Sequence, residues 1–330
     1  MALAETSELQ APAAATEERR WRALRVLLRK KIAVVAMVLI ATFYFCGIFA
    51  PLISPYGPNE APPLSSAPAG GLLEGPTADH WFGTDNLGRD LLSRVFYAAR
   101  TTILFTLAVV LSGSLFLGLG LGLLAGYRGG WIDTVVMRVG EVLAGIPTLI
   151  LMLAITAAFH TRITDFAFSL ADNTPLSVND ARAIVQFTVL VGATVPFSWI
   201  GGCRIVRSQA LAIREAAFVE AAECMGAGTW RILTRHILPG VLPLFFVGVT
   251  AGMAGIALAE VSLSFLGLGI DPPAASFGTL IHDGAGPYVL QNNPHLLLAP
   301  AIPVVVFFLA WNLLGDALVD LLEPRSTRAR

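Results

Sequence analysis

Lysine is nearly absent from this chain: Lys30 and Lys31 are the only two, and every other basic residue is arginine. A phosphate-cradling P-loop needs a lysine directly after its glycines, and neither lysine stands in such a loop. The chain is therefore not expected to bind or hydrolyse ATP. Charge of either sign is also scarce. Only 14% of residues are Asp, Glu, Lys or Arg, against about a quarter in a typical soluble domain. The net charge of −1 offers no case for a nucleic-acid partner. The three cysteines, Cys46, Cys203 and Cys224, form no CxxC pair, so neither a metal site nor a redox motif is expected. The five histidines, His80, His160, His236, His282 and His295, are never four residues apart, so no intramembrane metal or nucleophile–base site is visible.

Hydrophobic residues, by contrast, make up 55% of the chain. They gather in six runs: Ile32–Leu52, Thr102–Ala125, Val135–Phe159, Ile184–Ile205, Val241–Leu263 and Leu296–Leu318. Each is long enough to cross about 30 Å of hydrocarbon as a helix. Backbone groups find no water there, so all six are expected to be helical. The first run is too long for the apolar region of a cleaved signal peptide, and it reads as an anchor. The fold class is all-α: one polytopic domain over 32–318, a tail over 1–31 and a second tail over 319–330.

Arginine placement orients the spans. With the N-terminus inside, 17 of the 22 basic residues fall on the inner side, and the loop from Ser264 to His295 has none. Both termini are expected in the cytoplasm. The loops 53–101 and 264–295 are then outer, and the loop 206–239 is inner. Residues 1–18 read as disordered. Arg22, Arg25 and Arg29 alternate with Leu24, Leu27 and Leu28, which suits either a basic amphipathic helix or a charge cluster that only sets topology. Pro147 and Pro196 are expected to kink the third and fourth spans.

The 206–239 loop carries the most information. Ala, Glu and Met favour a helix up to Met225, with Phe218, Ala221, Ala222 and Met225 at helical spacing on one face. Gly226 is placed to close that helix in the left-handed conformation, and Thr229 to cap the next. A short helix with small residues and an aromatic knob suits either docking into another protein's groove or lying on the membrane surface. Glu260 is the one acid deep in the fifth span, where it either meets the solute or serves as a structural hydrogen-bonding partner.

Glu220-Ala221-Ala222, Gly226 six residues after the glutamate, and Leu238-Pro239 resemble the EAA loop of ABC-importer permeases. His236 stands where that family usually has isoleucine, and Glu215-Ala216-Ala217 is a second triplet without the spaced glycine. Gly83, Thr84, Asp85, Gly88, Arg89 and Asp90 fall in a stretch similar to an outer-loop motif of the dipeptide/oligopeptide/nickel permeases. Leu263 to Gly269, then Pro272-Pro273 and Phe277-Gly278, resemble that family's signature after the fifth span. Arg29-Lys30-Lys31 and the span that follows resemble its N-terminal region. Glu141 stands where the family often has aspartate.

The resemblance implies a C-type permease subunit of the type I importer fold, with no catalytic residue, cofactor or metal of its own. It implies a homologous B-type permease, two cytoplasmic ATPases that bind ATP and magnesium, and an extracytoplasmic binding protein as partners, with lipid around the spans. It implies that Phe218 to Gly226 contacts the ATPase. Peptides are the family's common solute, with nickel or another small solute as the alternative. An ion-driven secondary transporter would call for internal repeats and ionisable relays at mid-membrane, and only Glu260 answers to the second.

Overall fold

The computed structural model describes residues 25–60, 73–270 and 274–322. The tail 1–18, Arg22 and Leu24, Pro272-Pro273 and the end of the 319–330 tail lie outside the described residues. Every regular element among the described residues is helical, apart from an isolated bridge between Thr84 and Asp90. Apolar sequence in hydrocarbon leaves the helix as the only open-ended way to pair every backbone group.

The first span is α1 (Lys31–Ile48), extended by one turn, α2 (Ala50–Ile53). The second is a continuous helix, Leu91–Arg128, made of α3 (Leu91–Val109), a π-wound stretch (Val110–Leu119) and α4 (Gly120–Arg128). It starts well before Thr102, so the loop expected over 53–101 ends at Asp90. The early turns carry Arg94 and Arg100, yet Leu91, Val95 and Ala98 there are buried. Asp90 begins the helix by accepting the Ser93 amide at 2.7 Å.

The third span differs most from expectation. In place of one kinked helix stand α5 (Gly130–Ala144) and α6 (Thr148–Asn173), bent by 86°. Pro147 has no amide hydrogen and drives its predecessor towards extended backbone, so the helix stops and restarts there. Among the described residues, five helices are long and apolar enough to span, or six when the bent pair counts as one.

The fourth span comprises α7 (Val178–Ser198), with Pro196 inside, and α8 (Ile200–Arg214). A short helix, α9 (Ala217–Cys224), precedes the fifth span, which runs from α10 (Thr229–Ile232) through a π-wound turn (Leu233–Ile237) into α11 (Leu238–Phe265). The fourth and fifth helices thus reach further than their apolar runs, and the connection expected over 206–239 narrows to 215–228. The 264–295 stretch holds α12 (Phe277–Gly284) and α13 (Pro287–Asn292) before the last span, α14 (His295–Leu322).

Apolar clusters, three of them large, hold the bundle together. Phe43, Ile103, Val261, Phe277 and Phe307 join α1, α3, α11, α12 and α14. Phe105, Met152, Leu190 and Leu263 join α3, α6, α7 and α11. Val206, Val219, Ile232 and Phe245 form the third, around the 215–228 connection. Leu27 is buried, packing with Ala33 and Ala317. Large apolar side chains such as Val38, Leu107, Phe116 and Val305 stay exposed around the outside. A bilayer solvates such a surface and water does not.

Candidate functional site

α9 is eight residues long and is held by few, specific contacts. Val219 and Ala222 are buried, and Val219 packs with Val206, Ile232 and Ile237. Phe218, Glu220, Ala221 and Met225 are exposed, with Met225 at 82% and, one turn on, Trp230 at 78%. The face read as Phe218, Ala221, Ala222 and Met225 is therefore split. Ala222 belongs to the anchoring side with Val219, which sequence spacing passed over. Its signal was weak, one β-branched residue between an aromatic and an acid. Gly226 closes the helix at φ +82°, donating to the Glu223 carbonyl at 2.8 Å, as expected. The cap of α10 is corrected: Gly228, not Thr229, holds the N-cap position, and Thr229 is the first helical residue. The Tyr127 hydroxyl, at the end of α4, donates to Glu223 at 3.0 Å.

The Gly83–Asp90 stretch folds into a small ionic knot ahead of α3. Gly88 takes φ +75° to close a turn back to the Asp85 carbonyl. The Asp85 carboxylate accepts from the Leu87 amide at 2.9 Å, the Arg89 amide at 2.9 Å and Arg89 Nε at 2.7 Å, and also from Arg94 Nη1. Asp90 accepts from the Ser93 hydroxyl at 2.6 Å, and His80 Nδ1 lies 2.9 Å from it. The Thr84 hydroxyl accepts the Glu74 amide at 3.0 Å, and the Gly83 carbonyl accepts the Leu91 amide at 3.1 Å. Asp85, Arg89, Asp90 and Arg94 are all buried. Such burial is sustained only by this mutual pairing.

Glu260 is fully buried in α11. Its carboxyl accepts from the Thr102 hydroxyl of α3 at 3.0 Å and from the Ser264 hydroxyl at 3.1 Å. Glu141 is exposed on α5 and pairs with Arg138 at 2.9 Å. These two acids, Glu260 and Glu141, are not brought together with each other or with α9. A cavity of about 380 Å³ opens instead between the π-wound stretch of the second span, α6, α7, α8 and α11, lined by Ser114, Thr194, Ser198, Gly248 and Gly252 among others. None of its lining residues is charged. No group of three or more His, Cys, Asp or Glu side chains able to hold a metal occurs among the described residues.

Residues 118–328 match the family described as binding-protein-dependent transport system inner membrane component. The chain belongs to that family of transport permeases. Residues 19–70 of this permease match the N-terminal transmembrane domain of oligopeptide transport permease C. A dipeptide transport system permease protein of Alkalihalophilus pseudofirmus is 32% identical over 306 residues, covering 92% of this chain and 90% of that protein. A glutathione transport system permease protein of Pectobacterium atrosepticum is 33% identical over 308 residues, covering 92% and 91%. An oligopeptide transport system permease protein of Bacillus subtilis is 30% identical over 295 residues, covering 89% and 86%. The permease is thus a multi-pass inner-membrane component of a transport system, as its helices and its relatives agree.

Proposed function

We propose that this permease is one of two homologous membrane subunits of an ATP-driven importer of small peptides. The observation that carries the reading is α9: a short helix anchored by Val219 and Ala222, closed by Gly226, and presenting Phe218, Met225 and Trp230 outward between two spans. Exposed apolar knobs on a rigid element fit the groove of a soluble partner. Two cytoplasmic ATPase subunits receive this helix and its copy on a B-type permease. ATP and magnesium belong to those subunits, and this chain contributes no catalytic residue. Both termini face the cytoplasm, and an extracytoplasmic binding protein delivers the solute. The Gly83–Asp90 knot then lies on the outer side. The uncharged cavity is this chain's share of the path, which suits peptides whose side chains differ in charge. Relatives named for dipeptides, oligopeptides and glutathione, itself a small peptide, support that solute class.

The test is co-expression with the proposed partners, purification and reconstitution into proteoliposomes. ATP-dependent accumulation of a labelled dipeptide, absent when the binding protein is omitted, is the expected result. Uptake driven by an ion gradient without ATP overturns the reading.

A further inference from the structure

Asp133 lies in the first turn of α5, and its carboxylate receives both Nε and Nη2 of Arg207 from α8. The pair is two-pronged and partly shielded, with side-chain exposures of 18% and 31%. A planar guanidinium forked onto a carboxylate fixes direction as well as distance, which a single-point contact does not. This pair does not stand alone. A Cβ added at Gly126 would lie 2.6 Å from Ala210 Cβ and 2.8 Å from the Arg207 carbonyl, so α4 and α8 touch backbone to backbone at this end. One turn earlier, a Cβ at Gly122 would lie 2.7 Å from Val206 Cβ. Tyr127, next in line, holds Glu223 of α9.

Resting on the reading above, we propose that Asp133 and Arg207 are positioning residues that carry the motion of α9 into the bent span. The end of α4, all of α8 and α9 are joined by close packing and the Tyr127–Glu223 bond. Between α4 and α5 the chain passes through Gly129 and Gly130, both at positive φ, a junction that transmits little torque by itself. The ion pair bypasses that junction and ties α5 directly to α8. When α9 moves with its ATPase, α5 is carried along, and the 86° elbow before Thr148 takes up the change. Beside the pair, a cleft of about 510 Å³ lined by Arg138, Glu141 and Arg204 gives α5 room to swing.

The assembled transporter, reconstituted with its partners, tests this through the ratio of peptide imported to ATP hydrolysed. Asp133→Asn and Arg207→Gln are each expected to lower that ratio about tenfold, within the usual span of a coupling free energy. The double variant is expected to be no worse than either single one, because the two side chains act as one link. A merely structural pair would reduce assembled complex, hydrolysis and import together and leave the ratio at its wild-type value, and that result overturns the inference. Losses in the ratio that multiply in the double variant also overturn it. Failure of the wild-type complex to import with ATP would instead sink the importer reading itself, so the two failures are told apart.

Discussion

Asp85 and Arg94 are hydrogen-bonded to each other nine residues apart, and neither side chain is more than 3% exposed. Two of the three guanidinium nitrogens of Arg94, Nε and Nη2, have no partner among the described residues. Asp85 is therefore its principal compensating charge. Asp85→Asn leaves a cation buried and is expected to cost about 3 kcal/mol of stability. Thermal unfolding of the purified chain in detergent measures it. Arg94→Met in the same chain is expected to return much of the loss, and a single Asp85→Asn variant that melts like the wild type contradicts the account.

Gly226 tests the docking helix through backbone geometry alone. Nothing lies within 4 Å of a Cβ placed there, so crowding is not at issue and φ +82° is. Valine is expected to be strained by roughly 1–2 kcal/mol, while asparagine tolerates the left-handed region. ATP-driven uptake is expected to fall sharply for Gly226→Val and little for Gly226→Asn, at equal chain levels in the membrane. Equal uptake by both variants would remove α9 from the coupling path.

Burial raises the pKa of Asp283 on α12, an effect that outweighs the opposing pull of Arg94. A carboxyl that titrates higher when folded favours the folded chain at low pH and loses that contribution as pH rises. Asp283→Asn is accordingly expected to melt above the wild type at neutral pH. The gap should close as pH falls from the raised folded value towards the ordinary carboxylate one. Melting curves between pH 4 and pH 8 check this, in the window set by an unperturbed value near 4 and a raised folded one. A gap that widens on acidification has the wrong sign for this account.

Native cysteines report orientation. Cys224 is exposed on α9, whereas Cys203 is buried and Cys46 half-buried. An impermeant maleimide is expected to label Cys224 in inside-out vesicles and not in intact spheroplasts. Tyr288→Cys on α13, where the native side chain is 74% exposed, should show the reverse in a cysteine-free background. The opposite pattern would invert the topology.

The span centres were legible because apolar runs of that length have few other homes, and α1, α11 and α14 were read with small boundary errors. Helix beginnings were not. Leu91 to Arg100 carries charge that looks like loop until Asp85, in the knot ahead of α3, is known to neutralise Arg94. Pro147 announced a disturbance, but nothing in a proline tells a modest kink from a bend near a right angle, which depends on what packs against each half. Gly226 was readable because one residue type dominates that conformation. The buried side of α9 was not, since helical spacing names faces without saying which of them meets α8. Asp133 and Arg207 lie too far apart in the chain for spacing to pair them.

Glu260 has a consequence for how the permease is made. A ribosome finishes Thr102 long before it reaches Glu260, 158 residues later. The hydroxyl that the carboxyl needs is already in the membrane when the fifth span arrives. Had the order been reversed, the acid would have waited in hydrocarbon with only the Ser264 hydroxyl of its own helix to satisfy it. The Thr102–Glu260 bond therefore gives the fifth span a docking place at the moment of insertion, so the direction of synthesis itself helps assemble the bundle.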